Sequence, residues 1–365
     1  MADKLRVGVV GASGYAGGEL CRLLLSHECV QEILPTSRGS DAFERVHPNL
    51  LGCGLEFISL PELIETAASL DAVFLCTPPG EAMESAKLFL QLGVKVIDLG
   101  PDFRFPTASQ YTSVYGIPHV ASELLENAVY GVTELNRGKI RSAQLIANPG
   151  CYAITCILGL LPLIKTGFID FSKEIHISAI NGTTGAGGSP TRDTSHATVS
   201  NGVLPYSLEG HRHGPELEYQ LASIADQPVE VVFTAAHGSF ARGIHELITV
   251  SAKIEYAKKL SRESLIEFYI KYYGKGTDGE HFVVVNQFKR SGVKNAKEYH
   301  LYPNVARVTG SNFCHIGLDY QSEHGVIKIV AVSDNLVKGA AGSAIQNMNL
   351  MFNLPETTGL RHYGL

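Results

Sequence analysis

The apolar positions of this chain follow one rhythm up to residue 150 and another beyond it. In the first stretch, short, largely apolar runs at 5–10, 72–77, 94–99 and 145–147 read as strands, and 31–34 as a further strand after the first. Between them the spacing turns helical, as at Glu19, Leu20, Leu23 and Leu24, because residues three and four apart share one helix face. Short strands alternating with helices predict a doubly wound, parallel α/β sheet over 1–150. A continuous apolar run at 152–164 then reads as a helix, and the segments 174–180, 229–234, 246–254, 281–285 and 326–332 alternate apolar with polar residues. Strands with one covered face alternate in this way, so 151–335 is expected to form an α+β domain with a mixed or antiparallel sheet. A last helical stretch, about 336–353, is expected to return to the first domain and complete it.

Composition narrows the possibilities. A chain of 365 residues, 45% hydrophobic, has apolar surface for two cores, in keeping with two domains. A net charge of −6 gives no electrostatic case for nucleic acid or an anionic membrane. No apolar leader follows the first residues, and the run at 152–164 is too short to span a bilayer, so a cytoplasmic protein is expected. The cysteines at 21, 29, 53, 76, 151, 156 and 314 include no C-x-x-C pair and no Cys/His cluster at zinc spacing, and their number is odd. That pattern predicts reduced thiols, no disulfide framework and no metal.

Chemistry enters at three places. Gly11, Ser13, Gly14, Tyr15, Ala16 and Gly17 lie between the first strand and a helix. Glycines there let backbone N–H groups and the helix N-terminus approach a pyrophosphate, which makes the first domain Rossmann-type. The second strand runs into Thr36-Ser37-Arg38 with no acidic residue at its end. Hydroxyls and a guanidinium in that place suit a ribose 2′-phosphate, so NADP(H) is the expected cofactor. Cys151 follows Asn148-Pro149-Gly150 at a strand-to-helix turn, where unpaired N–H groups and the helix dipole favour a thiolate. Cys156, five positions on and inside the apolar run, is explained by burial alone. His211 and His213 flank Arg212 just ahead of a helix started by Pro215, and imidazoles suit proton transfer near neutral pH. A second glycine loop, 182–188, offers backbone amides to an anion. Arg104, Arg192, Arg212 and Arg242 carry the planar fork that clamps carboxylate or phosphate. A thiol, a base and a nicotinamide loop together point to an acyl-group oxidoreductase.

Ordered motifs then carry a family resemblance over nearly the whole chain. They are the glycine loop through Glu19, His47-Pro-Asn-Leu50, Asp102-Phe-Arg104, Glu134-Leu-Asn-Arg137, Pro149-Gly-Cys-Tyr152, His211-Arg-His213 with Pro215-Glu216, Arg242-Gly243 and Asp334-Asn-Leu-Val-Lys-Gly. The chain resembles the N-acetyl-γ-glutamyl-phosphate reductases of arginine biosynthesis, related in fold to aspartate-semialdehyde and glyceraldehyde-3-phosphate dehydrogenases. The resemblance implies an NADPH-dependent homo-dimer or homo-tetramer acting on a small acyl phosphate and releasing phosphate. It implies Cys151 as nucleophile and His211 as acid/base with His213 close behind. It adds Thr77, Pro78, Gly187 and Asn335 to the cofactor residues and Asn148 to the substrate arginines. Ala153-Ile154 stand where the family reads Pro-Thr, Gly188 stands where it carries arginine, and His315 is unusual at its place. The substrate that the resemblance implies is N-acetyl-L-glutamyl 5-phosphate, reduced to N-acetyl-L-glutamate 5-semialdehyde, with another acyl phosphate, aminoadipyl-type or smaller, and an NADP sensor without chemistry as the alternatives.

Overall fold

A computed structural model describes residues 4–274, 279–293, 296–360 and 363–364. The chain forms two compact units. The first ends at Gly150 and takes up the chain again at Gly339; the second runs Cys151–Lys338 and includes Tyr363 and Gly364.

The first unit is built on six strands, β1 Leu5–Val10, β2 Val30–Pro35, β3 Ala72–Leu75, β4 Lys95–Asp98, β5 Ala128–Tyr130 and β6 Leu145–Ala147. They pair only in parallel, in the order β2-β1-β3-β4-β6-β5. Every residue of β3 is buried, as a strand covered on both faces requires. The doubly wound parallel sheet expected from the apolar runs is present. β5, only three residues long, carries too short an apolar run to be read from the sequence. The terminal stretch opens with a π-helical turn, Val337–Ala341, and continues as the helix Gly342–Met351, all of whose residues are buried. Its polar side chains find partners within the first unit. Asn347 donates to the Gly131 carbonyl at 2.8 Å and accepts from the Thr133 hydroxyl at 2.8 Å, and the Asn349 side-chain oxygen meets His27 Nε2 at 2.9 Å.

The second unit holds a seven-stranded mixed sheet of β7 Ile175–Asn181, β8 Leu204–Tyr206, β9 Val231–His237, β10 Ile244–Ser251, β11 Val283–Val285, β12 Cys314–Gln321 and β13 Val326–Ser333, in the order β11-β12-β13-β10-β7-β9-β8. The β7–β9 and β11–β12 pairs are parallel and the others antiparallel. β10 begins two residues earlier than its alternation suggests and stops at Ser251, since 254–257 turns into a short helix. β8 and β12 are additions. Gly317 and Asp319 interrupt the apolar pattern of β12, and pairing with β11 and β13 recruits it instead.

One face of this sheet is covered by the helix Cys151–Thr166, in which 13 residues are buried. A Cβ on Gly159 would lie 3.1 Å from Ile248 Cδ1 and 3.4 Å from Ala331 Cβ, so helix and sheet are in van der Waals contact there. Pro162 lies inside that helix and has no N–H to offer the carbonyl four residues back. The Leu158 carbonyl is taken by the Tyr273 hydroxyl, and the next one, Gly159, by Tyr269 at 2.7 Å. Two tyrosines of the helix Arg262–Tyr273 thus supply hydrogen bonds where proline breaks the ladder.

Candidate active site

Cys151 is the first residue of its helix and half-buried. At this position the helix amides lack intrahelical acceptors, and negative charge is favoured. The Asn181 side-chain amide approaches the Cys151 sulfur, with Nδ2 at 3.8 Å from Sγ. Asn181 ends β7, is buried, and its Oδ1 has no hydrogen-bond partner. The loop that follows can cover this amide only because Gly185 has no side chain: a Cβ there would sit 2.1 Å from Asn181 Nδ2. Thr155, one turn into the helix, donates to the Cys151 carbonyl at 3.0 Å and meets the Ser333 hydroxyl at 2.6 Å, which ties the helix start to the end of β13.

Beside the thiol lies a packed group of rings. Tyr152 stands edge-on to both His211 and His213, each at 5.6 Å between ring centroids. His211 and His213 are 4.9 Å apart, and Phe233 closes the group against Tyr152 and His211 at 5.2 Å. Tyr206 stacks on His237 at 4.5 Å, and its hydroxyl is 3.3 Å from that of Tyr152. The helix begins at His213, ahead of Pro215 rather than at it.

Geometry distinguishes the two histidines. The His213 backbone N–H donates to His211 Nδ1 at 3.1 Å, so a neutral His211 carries its proton on Nε2. Burial, then the Arg212 cation and then His237, pull the His211 pKa down to about 4. The ring is neutral at physiological pH and presents an N–H donor. His213 is buried with Nε2 at 3.9 Å from the buried carboxyl of Glu216. Burial likewise lowers the pKa of His237.

The other residues singled out by the sequence fall into two groups. Arg192, Arg212 and Gly187 are exposed. Arg242 pairs with buried Asp334, Nε to Oδ2 at 3.0 Å. The Asn335 amide accepts from the Gly243 N–H at 2.7 Å and donates to the Thr184 hydroxyl at 2.9 Å, which binds the glycine loop to the strand ends. In the first unit, Arg104 donates to the carbonyls of Asn148 and Leu99, each at 2.9 Å. The Asn148 amide bonds to the Ala340 carbonyl, Ser343 and Asn347. Asn181, Tyr206 and His237 were not anticipated, although an asparagine directly ahead of a glycine-rich loop was a signal available in the sequence.

The nucleotide loop leaves β1 at Val10 and enters the helix Tyr15–Leu24. No side chain caps this helix at Gly14, so its first amides are available to a pyrophosphate. Ser13, Tyr15 and Arg38 are exposed, Gly14, Ala16 and Ser37 half-buried. Thr77 follows β3 with its hydroxyl buried and without a hydrogen-bond partner, and Pro78 next to it is exposed. These residues fit a dinucleotide.

Comparison with known proteins places the chain in a family. Residues 6–143 match the semialdehyde dehydrogenase NAD-binding domain, and residues 151–335 the semialdehyde dehydrogenase dimerisation domain. In structure the chain is similar to aspartate semialdehyde dehydrogenase II of Vibrio cholerae, with a TM-score of 0.70 at 16% identity over 96% of this chain and 99% of that one. It is also similar to the aspartate semialdehyde dehydrogenase of Candida albicans solved with NADP, with a TM-score of 0.58 at 15% identity over 96% and 98%. Among the described residues no helix is long and apolar enough to cross a membrane. The N-acetyl-gamma-glutamyl-phosphate reductase of Desulforudis audaxviator is 39% identical over 99% of both chains, and that of Geobacter sp. strain M21 is 41% identical over 98% of both. On likeness of this extent, the chain belongs to the N-acetyl-gamma-glutamyl-phosphate reductase family, oxidoreductases built from a nicotinamide-nucleotide domain and a dimerisation domain.

Proposed function

We propose that the protein reduces N-acetyl-L-glutamyl 5-phosphate to N-acetyl-L-glutamate 5-semialdehyde and phosphate, with NADPH, through a thioester on Cys151. The observation that carries the chemistry is the thiol at a helix start with an amide donor at 3.8 Å and two histidines against the next side chain. The relatives supply the acyl group.

In the first half-reaction the Cys151 sulfur attacks the acyl carbon, a C–S bond forms, and the C–O bond to phosphate breaks with its electron pair leaving on phosphate. Asn181 Nδ2 is placed to donate to the thiolate, and to the oxyanion as the carbonyl is attacked. When bound, the nicotinamide supplies the hydride that takes the thioester to the aldehyde level. His211 donates a hydrogen bond from Nε2–H to the oxygen that gains charge in that step, and when that oxyanion collapses the C–S bond breaks with its electron pair leaving on sulfur, which restores the Cys151 thiolate. His213, resting on Glu216, is the second acid/base group. Arg192 and Arg212, both exposed, are the guanidinium groups open to substrate anions. The loop 11–17, Thr77 and Pro78 hold the dinucleotide, and Ser37 with Arg38 selects the 2′-phosphate. The working protein is a homo-dimer or homo-tetramer, in keeping with the dimerisation-domain match.

The test is the reverse reaction: NADP reduction by N-acetylglutamate 5-semialdehyde, with and without phosphate, beside NAD and shorter, longer and aminoadipate-derived aldehydes. Phosphate-dependent NADPH formation with the acetylated semialdehyde supports the reading. Preference for another aldehyde refutes the acyl group, and NADPH binding without turnover of any aldehyde refutes the chemistry.

A further inference from the structure

His47 opens the motif His47-Pro-Asn-Leu50, which the proposed reaction does not use. It is 8% exposed and lies between the helical turn Phe43–Val46 and the 3-10 turn Pro48–Leu50. Its N–H donates to the Phe43 carbonyl, and its carbonyl accepts from the Leu50 N–H, both at 2.9 Å. The ring packs against Phe43 at 5.0 Å and Phe57 at 6.2 Å. Backbone and ring are therefore both held, and the ring is directed at the nucleotide loop.

There His47 Nε2 lies 2.8 Å from the Ala12 carbonyl, an arrangement in which the ring donates and the carbonyl accepts. On its other side Ala12 donates to the Thr36 carbonyl at 2.9 Å, and Gly11 donates to the Thr36 hydroxyl at 3.3 Å. The loop is thus braced from two directions before its amides turn outward. The ring also accounts for Gly18: a Cβ at that position would fall 2.3 Å from His47 Cε1, so a side chain there would displace the imidazole.

We infer that His47 is a positioning residue for cofactor binding, acting through the Ala12 carbonyl rather than touching the dinucleotide. A trans peptide is planar, with its C=O and N–H pointing in opposite directions. By holding the Ala12 oxygen, His47 sets the direction of the Ser13 N–H, away from the imidazole and toward the open end of the helix where a pyrophosphate binds.

This inference rests on the dinucleotide reading of the first unit, and the experiment separates the two. NADPH is titrated into the full chain and into His47→Leu, His47→Gln and Gly18→Ala, followed by nicotinamide fluorescence, with steady-state kinetics alongside. Losing one such hydrogen bond is expected to weaken NADPH binding by roughly tenfold in His47→Leu. In that variant kcat at saturating NADPH is expected to stay within about twofold, as expected of a preorganising contact. Glutamine can still donate to the carbonyl, so His47→Gln is expected to recover most of the affinity. Gly18→Ala keeps the histidine but displaces its ring, and is expected to weaken binding as His47→Leu does. Native affinity in folded His47→Leu, or in folded Gly18→Ala if His47→Leu does not fold, overturns the inference. A native chain that fails to bind NADPH overturns the dinucleotide reading itself.

Discussion

Glu246→Gln is expected to stabilise the protein, increasingly so as pH rises. Glu246 lies on β10 between Ala179 of β7 and Ala331 of β13, on the face covered by the Cys151 helix. It is fully buried, neither oxygen has a hydrogen-bond partner, and burial raises its pKa well above the ordinary carboxyl value. The folded pKa exceeds the unfolded one, so the folded state retains a proton that the unfolded chain gives up. The stability this proton represents is fully present below the unfolded pKa, about 4.3, and is lost as pH rises toward the folded value. Each pH unit in that window is worth about 1.4 kcal/mol. Glutamine has nearly the same shape and no such dependence. Between about pH 5.5 and 7.5 the advantage of the variant should therefore widen with pH, by no more than about 1.4 kcal/mol for each unit. The chain has no tryptophan, so urea unfolding is best followed by far-UV circular dichroism, at one protein concentration because an oligomer's stability depends on it. Parallel stability profiles for variant and native protein across that range would refute the reasoning.

Other outcomes follow from the site. Cys151→Ala should abolish turnover while NADPH, titrated by fluorescence, still binds; residual turnover at the native rate would remove the thioester. His211→Gln should lower kcat about 10²–10⁴-fold. Because His211 titrates at about 4, the variant should leave the shape of the pH–rate profile above about pH 5.5 unchanged, and an inflection near 6.5 that vanishes with the substitution would contradict its assignment. Gly185→Ala should push the Asn181 amide away from the sulfur and lower kcat about 10- to 100-fold, with circular dichroism unaltered; native kinetics would deny Asn181 a role. Arg38 is largely exposed, 3.3 Å from Glu81, and Arg38→Ala should raise KM for NADPH roughly tenfold without changing KM for NADH. An equal change for both cofactors would mean that it does not read the 2′-phosphate.

What could be read in the sequence was local. The parallel sheet announced itself because most of its strands are short, largely apolar runs set between helical stretches, and the glycine loop and Cys151 announced themselves because each lies at a strand-to-helix turn. What was missed depends on pairing. Tyr206 and His237 meet because β8 lies antiparallel to β9, with Leu204 opposite His237, and Asn181 joins them because β7 runs parallel to β9. Nothing near those residues in the chain encodes that juxtaposition. The same limit applies to the partners of single side chains. Arg104, Asn148 and Arg242 hold carbonyl, amide or carboxylate partners, some of them far along the chain. In Asp334, one Oδ atom takes both the Arg242 guanidinium and the Gly310 N–H, a use of a motif aspartate that its neighbours in sequence do not reveal.

The return of the chain to its first unit at Gly339 has a consequence for synthesis. The parallel sheet is made first, but the helix that carries Asn347 and Asn349 emerges only after Cys151–Lys338 of the second unit has been translated. At about 5–20 residues per second, roughly 10–40 s separate the end of the first segment from the arrival of the second. During that interval the Gly131 carbonyl, the Thr133 hydroxyl, His27 and the Asn148 amide await their partners. Ribosome-bound chains stopped before residue 339 should present the first unit as a client for chaperones, and a gene fragment ending at Gly150 encodes a sheet without its final layer.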